Sequence, residues 1–201
     1  MASEDPFRIA LLAVFVLILT VGVPHRLRAK SGERISWTQE GPFMFVSLSI
    51  AGIGLWIIVL VYLINPAWMQ WASVPLPDWL RWSGAALGIL GAPLLYWTLA
   101  NLGKNLTNTV VTRANATLVT TGPYRWIRHP FYVVAGLMMA GASLLSANWF
   151  IALDSLAVIT LLAVRTSHEE QNLIEKFGDD YRAYMAATGR FFPKRPGNSA
   201  R

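Results

Sequence analysis

The residues best suited to chemistry lie in two groups, at 118–132 and 165–170. The first group reads LVTTGPYRWIRHPFY and combines a Gly-Pro turn with arginine, histidine and aromatic side chains. In the second group Arg165 and Glu169 are four residues apart, so they share one face of a helix. An isolated pair of this kind is usually an interfacial salt bridge. Cationic, acidic and aromatic side chains together are instead typical of a site for a charged small molecule.

The composition indicates an integral membrane protein. Of the 201 residues, 54% are hydrophobic and 14% are charged, which is far from the balance of a soluble chain. The chain has no cysteine, which excludes disulfides, thiolate metal sites and cysteine nucleophiles, and we predict no metal site. The length fits a single membrane domain covering residues 1–201.

Five apolar stretches predict an all-α fold, a polytopic bundle of about five transmembrane helices. The first helix is expected to end at Pro24, and the acidic residues before it argue against a cleaved signal peptide. The connection at residues 146–148 is so short that the fourth and fifth spans are expected to form an antiparallel hairpin. A charged helix is expected to continue from the fifth span to Gly178, followed by a short helix over Asp179–Ala187. The predicted spans are 7–23, 43–64, 79–100, 131–147 and 149–164.

The net charge of +6 follows the loops and does not indicate a polyanionic partner. Cations are concentrated in the first loop, in the third loop and after the fifth span, whereas the second and fourth loops are nearly empty. Alternation of this kind is the positive-inside rule. We therefore predict a multi-pass protein with its N-terminus outside and its C-terminus in the cytoplasm, surrounded by membrane lipids, with no nucleic acid as partner.

The predicted hairpin places the start of the fourth span beside the end of the fifth. Arg128 and His129 are therefore expected to face Arg165, His168 and Glu169 across one gap at the cytoplasmic surface. Each of these residues alone has a simpler explanation, such as a membrane anchor or a helix cap. Their joint occurrence at one depth favours a binding site. Aromatic walls for that site are expected from Tyr124, Trp126, Phe131 and Tyr132.

The two groups also match the pattern of a known family. In the first, Arg128 to Tyr132 form an Arg-His-Pro-x-Tyr element. In the second, Arg165 precedes a Glu-Glu pair at 169–170, a Phe-Gly-Asp-Asp-Tyr run at 177–181 and an Arg-Phe-Phe-Pro run at 190–193. Over residues 99–193 the chain resembles the isoprenylcysteine carboxyl methyltransferases.

That resemblance implies S-adenosylmethionine as the methyl donor and a cofactor-binding region within residues 101–193. It implies catalytic roles for Arg165 and Glu169, with Arg165 orienting the substrate. The family often has histidine where this chain has Ala116, so only backbone contacts are expected there. Arg128 is added as a partner for the donor carboxylate. The donor contacts carried over are Ala116, Thr117, Leu118, Val119, Tyr124, His129, Pro130, Phe131, Tyr132 and Glu169.

Elementary chemistry is consistent with this assignment. Aromatic faces and a nearby carboxylate suit a sulfonium cation. An acceptor carboxylate is ionised at neutral pH and needs no general base, so an arginine fork has only to desolvate and aim it. A membrane location lets a lipidic or small-molecule acceptor enter sideways while the donor enters from the cytoplasm.

Three other functions are compatible with the pattern. In the first, the methyl group is transferred to an amine, as in phospholipid methylation, or to a small thiol. An amine acceptor requires a base, for which Glu169, Glu170 or His168 is available. A sterol-type membrane reductase with a nicotinamide donor shares the Arg-His-Pro element, but such enzymes usually have more spans. A non-enzymatic channel or assembly subunit explains the spans without explaining the polar cluster.

One acidic residue lies inside a predicted span. Asp154 is about two turns from the outer corner, where a carboxylate is costly and therefore a candidate functional group. The simpler expectation is that it bonds to a neighbouring serine, Ser155 or Ser143, or reaches water.

Overall fold

The computed structural model of the protein describes residues 5–29, 42–103 and 117–194. Over these residues the fold is all-helical, as predicted, with two isolated β-bridges and no strand. The helices are α1 (Asp5–Ala29), α2 (Pro42–Ile64), α3 (Asp78–Leu102), α4 (Pro130–Ser146), α5 (Trp149–Phe177) and α6 (Asp179–Ala187), and 3₁₀ turns occur at Pro66–Ala72 and Gly122–Arg125.

Four of these helices, α1, α2, α3 and α5, are long and apolar enough to cross a membrane. The predicted fourth span corresponds to α4, an apolar helix of 17 residues that is about 25 Å long. At 29 residues α5 is about 43 Å long, more than the roughly 30 Å of a hydrocarbon core. Its polar part after Val164 therefore extends beyond the span, as the sequence predicts.

The predicted end of the first helix at Pro24 is wrong, because α1 continues through this proline to Ala29. A proline removes one backbone donor from a helix, and the freed carbonyl groups need other partners. The His25 ring lies beside this site, with its Nδ1 2.8 Å from the carbonyl oxygen of Val21. Membrane helices tolerate an interior proline of this kind, so the helix continues past it.

Helices α3 and α4 are in backbone contact at two glycines. A Cβ atom added to Gly84 would lie 2.5 Å from the carbonyl oxygen of Gly141, and one added to Gly141 would lie 2.8 Å from that of Gly84. No side chain fits between the two helices at this level, so their separation is fixed by the backbones themselves. This close contact sets the position of α4 on the bundle.

The predicted hairpin between α4 and α5 is confirmed. Ala147 adopts a left-handed conformation at the corner, and the side chain of Asn148 accepts hydrogen bonds from the first backbone amides of α5. The amide of Asn148 also donates to the carbonyl oxygen of Met69 at 3.2 Å. Buried Arg81 of α3 donates two hydrogen bonds to the carbonyl oxygen of Leu145 near the end of α4. The corner end of the hairpin is therefore held in place by hydrogen bonds from two other segments.

The open end of the hairpin, where α4 begins, is held by the segment after α6. The backbone amides of Arg128 and His129 donate to the carbonyl oxygens of Gly189 and Arg190, at 2.9 and 3.1 Å. Gly189 has no room for a Cβ atom, because the carbonyl of Phe192 occupies that position. The C-terminal segment is thereby positioned against the start of α4.

Asp154 lies in the interface between α5 and α2, where its carboxylate faces Gly54. Its Oδ2 atom is buried, and it has no hydrogen-bond partner within the described residues. The two candidate serines bond elsewhere, since the Ser143 hydroxyl lies 3.4 Å from that of Ser155. The expected serine bond is therefore absent from the described part of the chain.

Candidate active site

A single buried carboxylate connects three segments at the open end of the hairpin. The side chain of Glu170 is 4% exposed and its Oε1 accepts a hydrogen bond from Arg128 Nε at 2.8 Å. The same oxygen lies 3.3 Å from His129 Nε2, and Oε2 accepts from the guanidinium of Arg190. Glu170 therefore joins α5 to the residue pair before α4 and to the segment after α6.

The pKa of the Glu170 carboxyl group reflects this environment. Glu170 lies in the polar extension of α5, outside the apolar span. Burial opposes its ionisation, but hydrogen bonds from His129, Arg190 and Arg128, together with the charge of Arg128, outweigh burial and hold the pKa well below its ordinary value. Glu170 is thus a fixed anion, and a carboxylate so strongly stabilised is a weak base.

Arg128 continues this network into α6. Its Nη1 donates to the carbonyl oxygens of Thr188 at 2.5 Å and Met185 at 3.2 Å, where α6 ends. A cation is favourable at the C-terminal end of a helix. The structure therefore gives Arg128 a positioning role, and its predicted contact with the donor carboxylate stays a prediction.

The neighbouring residue Glu169 is the accessible carboxylate of the pair. Its side chain is 29% exposed, and its Oε2 accepts a hydrogen bond from the Tyr132 hydroxyl at 2.8 Å. His129 Nδ1 lies 3.9 Å from the same oxygen. The rings of His129 and Tyr132 are parallel, with an interplanar angle of 2° and centroids 5.5 Å apart. Glu169 therefore sits at the edge of a stacked ring pair with part of its charge open to a ligand.

Tyr124 forms the opposite, buried part of the site. It lies in the 3₁₀ turn at Gly122–Arg125, and its carbonyl oxygen accepts from the Tyr184 hydroxyl at 2.6 Å. Burial raises the pKa of the Tyr124 phenol well above its ordinary value, and the charges of Glu169 and Tyr184 raise it further. Burial likewise raises the pKa of Tyr184 to about 12, although the charge of Arg128 and a hydrogen bond with Thr188 oppose the shift. Both phenols are neutral at physiological pH and do not act as bases.

The 3₁₀ turn is itself anchored to the end of α3. Gly122 has a positive φ of 58°, and its missing Cβ leaves room for the side chain of Asn101. The hydroxyl of Thr121 donates to Asn101 Oδ1 at 3.1 Å. The loop that precedes the site therefore ends at a fixed point on the bundle.

Most of the predicted site residues lie together. Pro130 is buried at the first position of α4, and Phe131 packs beside Tyr132 with ring centroids 5.9 Å apart. Arg165 is 7% exposed and lies one helical turn before Glu169. Ala116 falls outside the described residues. Thr117, Leu118 and Val119 lie in the chain before the turn, Thr117 exposed and the other two half-buried.

Two members of the site network were missed from the predicted set. Glu170 was considered only as an alternative base, and Arg190 only as part of a motif. The signal for Glu170 was present in the Glu-Glu pair, because consecutive helical residues point in different directions and one of them faces inward. No local pattern links Arg190 to Glu170, twenty residues earlier, since α6 lies between them.

An apolar cavity of about 330 Å³ lies in the bundle beside this site. Helices α1 to α5 all contribute to its wall, and Phe131 places the start of α4 in that wall. The volume is in the range of roughly 300–1,000 Å³ that small-molecule pockets occupy. An apolar molecule in the cavity would therefore end next to the polar cluster.

The described residues contain no group of three histidine or acidic side chains that could hold a metal ion.

Comparison with known proteins points to one family. Residues 84–175 match the isoprenylcysteine carboxyl methyltransferase (ICMT) family. The chain is 30% identical over 117 residues to the human protein-S-isoprenylcysteine O-methyltransferase. The aligned region covers 57% of this chain and 41% of the human protein. It is 34% identical over 96 residues to the Bacillus subtilis protein YpbQ, and this alignment covers 47% of the chain and 57% of YpbQ.

A solved structure agrees with these relatives. The eukaryotic intramembrane Ras methyltransferase ICMT superposes with a TM-score of 0.55 and 25% identity, over 91% of this chain and 62% of that protein. The chain thus spans less than half the length of the human relative and less than two thirds of the solved one. Family match, relatives and fold all point to the isoprenylcysteine carboxyl methyltransferase family, to which the chain is similar over residues 84–175.

Proposed function

We propose that the protein is a membrane methyltransferase that transfers a methyl group from S-adenosylmethionine to the carboxylate of a lipophilic acceptor. The observation that carries the proposal is the partly exposed Glu169, bonded to Tyr132 beside the stacked His129 ring, next to an apolar cavity. The names of the relatives supply the reaction class. The isoprenylcysteine type of acceptor is proposed from those names alone.

The site fits a sulfonium donor. When bound, the donor supplies an electrophilic methyl group on a positively charged sulfur. A carboxylate that is 29% exposed and flanked by aromatic rings matches such a cation in charge and in surface. Residues that would hold the donor are Thr117, Leu118, Val119, Tyr124, His129, Pro130, Phe131, Tyr132 and Glu169, with Ala116 contributing backbone groups.

The acceptor half of the site follows from the cavity and from Arg165. The cavity accommodates an apolar chain, and its wall includes Leu162, one turn before Arg165 on α5. Arg165 is proposed to bind and orient the acceptor carboxylate, because a guanidinium presents two parallel donors to such a group. The acceptor is already ionised at neutral pH, so the chain has only to align it and exclude water.

The environments of the two glutamates favour a carboxylate over an amine acceptor. An amine must lose a proton, which requires a base near pH 7. Glu170 is held as a low-pKa anion by three donors, and Glu169 already accepts the Tyr132 hydroxyl. Neither carboxylate is well suited to take a proton from an ammonium group.

The orientation in the membrane is part of the proposal. The cations at the end of α1 and around the start of α4 lie at the same end of the helical bundle as the candidate active site. By the positive-inside rule this side is cytoplasmic, with the N-terminus outside. A water-soluble donor would then enter from the cytoplasm and the lipophilic acceptor from the bilayer.

Calorimetric titration of the purified protein with S-adenosylmethionine and with NADPH tests the donor. We expect saturable binding of S-adenosylmethionine alone. Glu169→Gln should weaken this binding by about ten-fold or more, since a charge-assisted contact is lost. Glu175→Gln, a matched change at an exposed position of α5, should have no effect. Binding of NADPH, or normal donor binding by Glu169→Gln, would contradict the proposal.

A further inference from the structure

The cavity wall contains an ordered stripe of residues from α1. Its members recur every three or four residues, which places them on one face of the helix over about 22 Å. The stripe reads Leu11, Val14, Phe15, Ile18, Leu19, Gly22, Val23 and Arg26. Seven of the eight are apolar, and the stripe ends at the cytoplasmic end of α1 in a cation.

Arg26 differs in kind from the rest of the lining. It is the one charged residue that contributes to the wall in the described chain, and Ser155 supplies a hydroxyl deeper in the bundle. Arg26 is exposed, with no hydrogen bond or ion pair to the other described residues. A guanidinium of this kind is available to an anion that arrives with an apolar chain.

The position of Arg26 relates it to the catalytic groups. Phe131, at the start of α4, and Leu99, near the end of α3, line the same cavity as Arg26. Phe131 packs against Tyr132, whose hydroxyl binds Glu169. The end of the cavity with Arg26 is therefore on the same side of the bundle as the polar cluster.

The open space beside α1, one turn before Arg26, leaves room for a bound apolar chain. A Cβ atom added to Gly22, one turn before Arg26, would meet no atom within 4 Å. The wall is thus unfilled just inside the mouth, where the first part of an apolar chain would lie.

We propose that Arg26 is a specificity-determining residue that selects acceptors with an anionic head group and an apolar chain. The chain occupies the slot along α1, and Arg26 at the cytoplasmic mouth attracts the same carboxylate that Arg165 is proposed to orient. The occupant is the methyl acceptor, so the proposal rests on the proposed function in this respect. Arg26 contributes binding and not chemistry.

A simple interfacial anchor is the alternative role for an arginine at the end of a span. Arg28 provides the control, because it is an exposed arginine two residues later on α1 that does not line the cavity. An anchor role predicts equal effects at the two positions, whereas a selective role predicts an effect at Arg26 alone.

The test compares two probes, N-acetyl-S-farnesylcysteine and its neutral carboxamide, bound to the full chain in lipid nanodiscs. For Arg26→Gln we expect the affinity for the carboxylate to fall about ten-fold and that for the carboxamide to stay unchanged. Arg28→Gln should bind both probes like the wild type. Equal losses for the two probes, or wild-type binding by Arg26→Gln, would overturn the proposal.

Two further measurements separate the possible failures. Donor titration on the same Arg26→Gln sample should give the wild-type affinity, which shows that the variant is folded. If wild-type protein binds the farnesyl carboxylate but not S-adenosylmethionine, the proposed function fails and the role of Arg26 as anion selector stands. If Arg26→Gln alters only the phospholipid that copurifies with the protein, the occupant is a bilayer lipid and the inference fails.

Discussion

Replacing Glu170 by glutamine gives the sharpest test of how the site is held together. The change keeps the shape of the side chain and removes its charge. It weakens the hydrogen bonds from Arg128 and Arg190 and the contact with His129, and it leaves the largely buried Arg128 guanidinium without its counterion. Removing one partner of a buried ion pair typically costs about 3–5 kcal/mol.

The retained amide oxygen still accepts one hydrogen bond, so we take the lower end, about 3 kcal/mol, as the expected loss in free energy of unfolding. For a chain of this size each kcal/mol lowers the melting temperature by roughly 2–4 °C, which gives a decrease of roughly 6–12 °C. The assay is thermal unfolding in detergent micelles, followed by tryptophan fluorescence.

The matched control is Glu169→Gln at the adjacent position. Glu169 is partly exposed and accepts one hydrogen bond from Tyr132, so its replacement should lower the melting temperature by only a few degrees, consistent with a loss of about 1 kcal/mol. Donor binding should show the opposite ranking at low temperature, with the larger loss in Glu169→Gln. If Glu170→Gln melts like the wild type, the carboxylate does not connect the three segments as described.

Three further predictions follow from other parts of the structure. Gly22→Leu should fill the cavity and weaken binding of a farnesyl carboxylate about ten-fold. Gly52→Leu, at a second glycine with open space around it, should bind this probe normally. Equal affinities of the two variants in a binding titration would contradict this prediction. The low pKa of Glu170 stabilises the fold above the ordinary glutamate pKa of about 4.3. This stability should be lost as the pH falls below that value, and the difference in melting temperature between wild type and Glu170→Gln should shrink with it; a constant difference would contradict the ion network. Gly189→Ala should displace the carbonyl of Phe192 and reduce donor affinity, measured by calorimetry, and an unchanged affinity would show that this segment does not position the site.

The periodic and compositional features of the fold were predictable from the sequence. Apolar stretches separated by charged loops predict the helices, and the short corner at residues 146–148 predicts the hairpin, because so few residues permit only an antiparallel return. The Pro24 boundary was wrong for a physical reason. In a membrane helix a proline is tolerated when neighbouring groups take over the freed carbonyl, so a proline alone does not end such a helix.

The site was predictable only in part. The hairpin explains why His129 and Tyr132 meet Glu169, residues that are almost forty positions apart. Side-chain direction on α5 decides which glutamate is buried, and that depends on packing with α4 and α6, which no local pattern encodes. The cavity is likewise a property of five helices together, so Arg26 gave no signal beyond that of a loop cation.

Transfer of radioactive methyl from S-adenosylmethionine to N-acetyl-S-farnesylcysteine in proteoliposomes tests the central claim most directly. The proposal predicts a base-labile, organic-extractable product, as expected for a methyl ester, that forms with wild-type protein and is lost in Glu169→Gln. It also predicts no loss in Glu175→Gln. Failure of the wild type to bind S-adenosylmethionine, or equal ester formation by Glu169→Gln, would contradict a methyl-donor site at the open end of the hairpin.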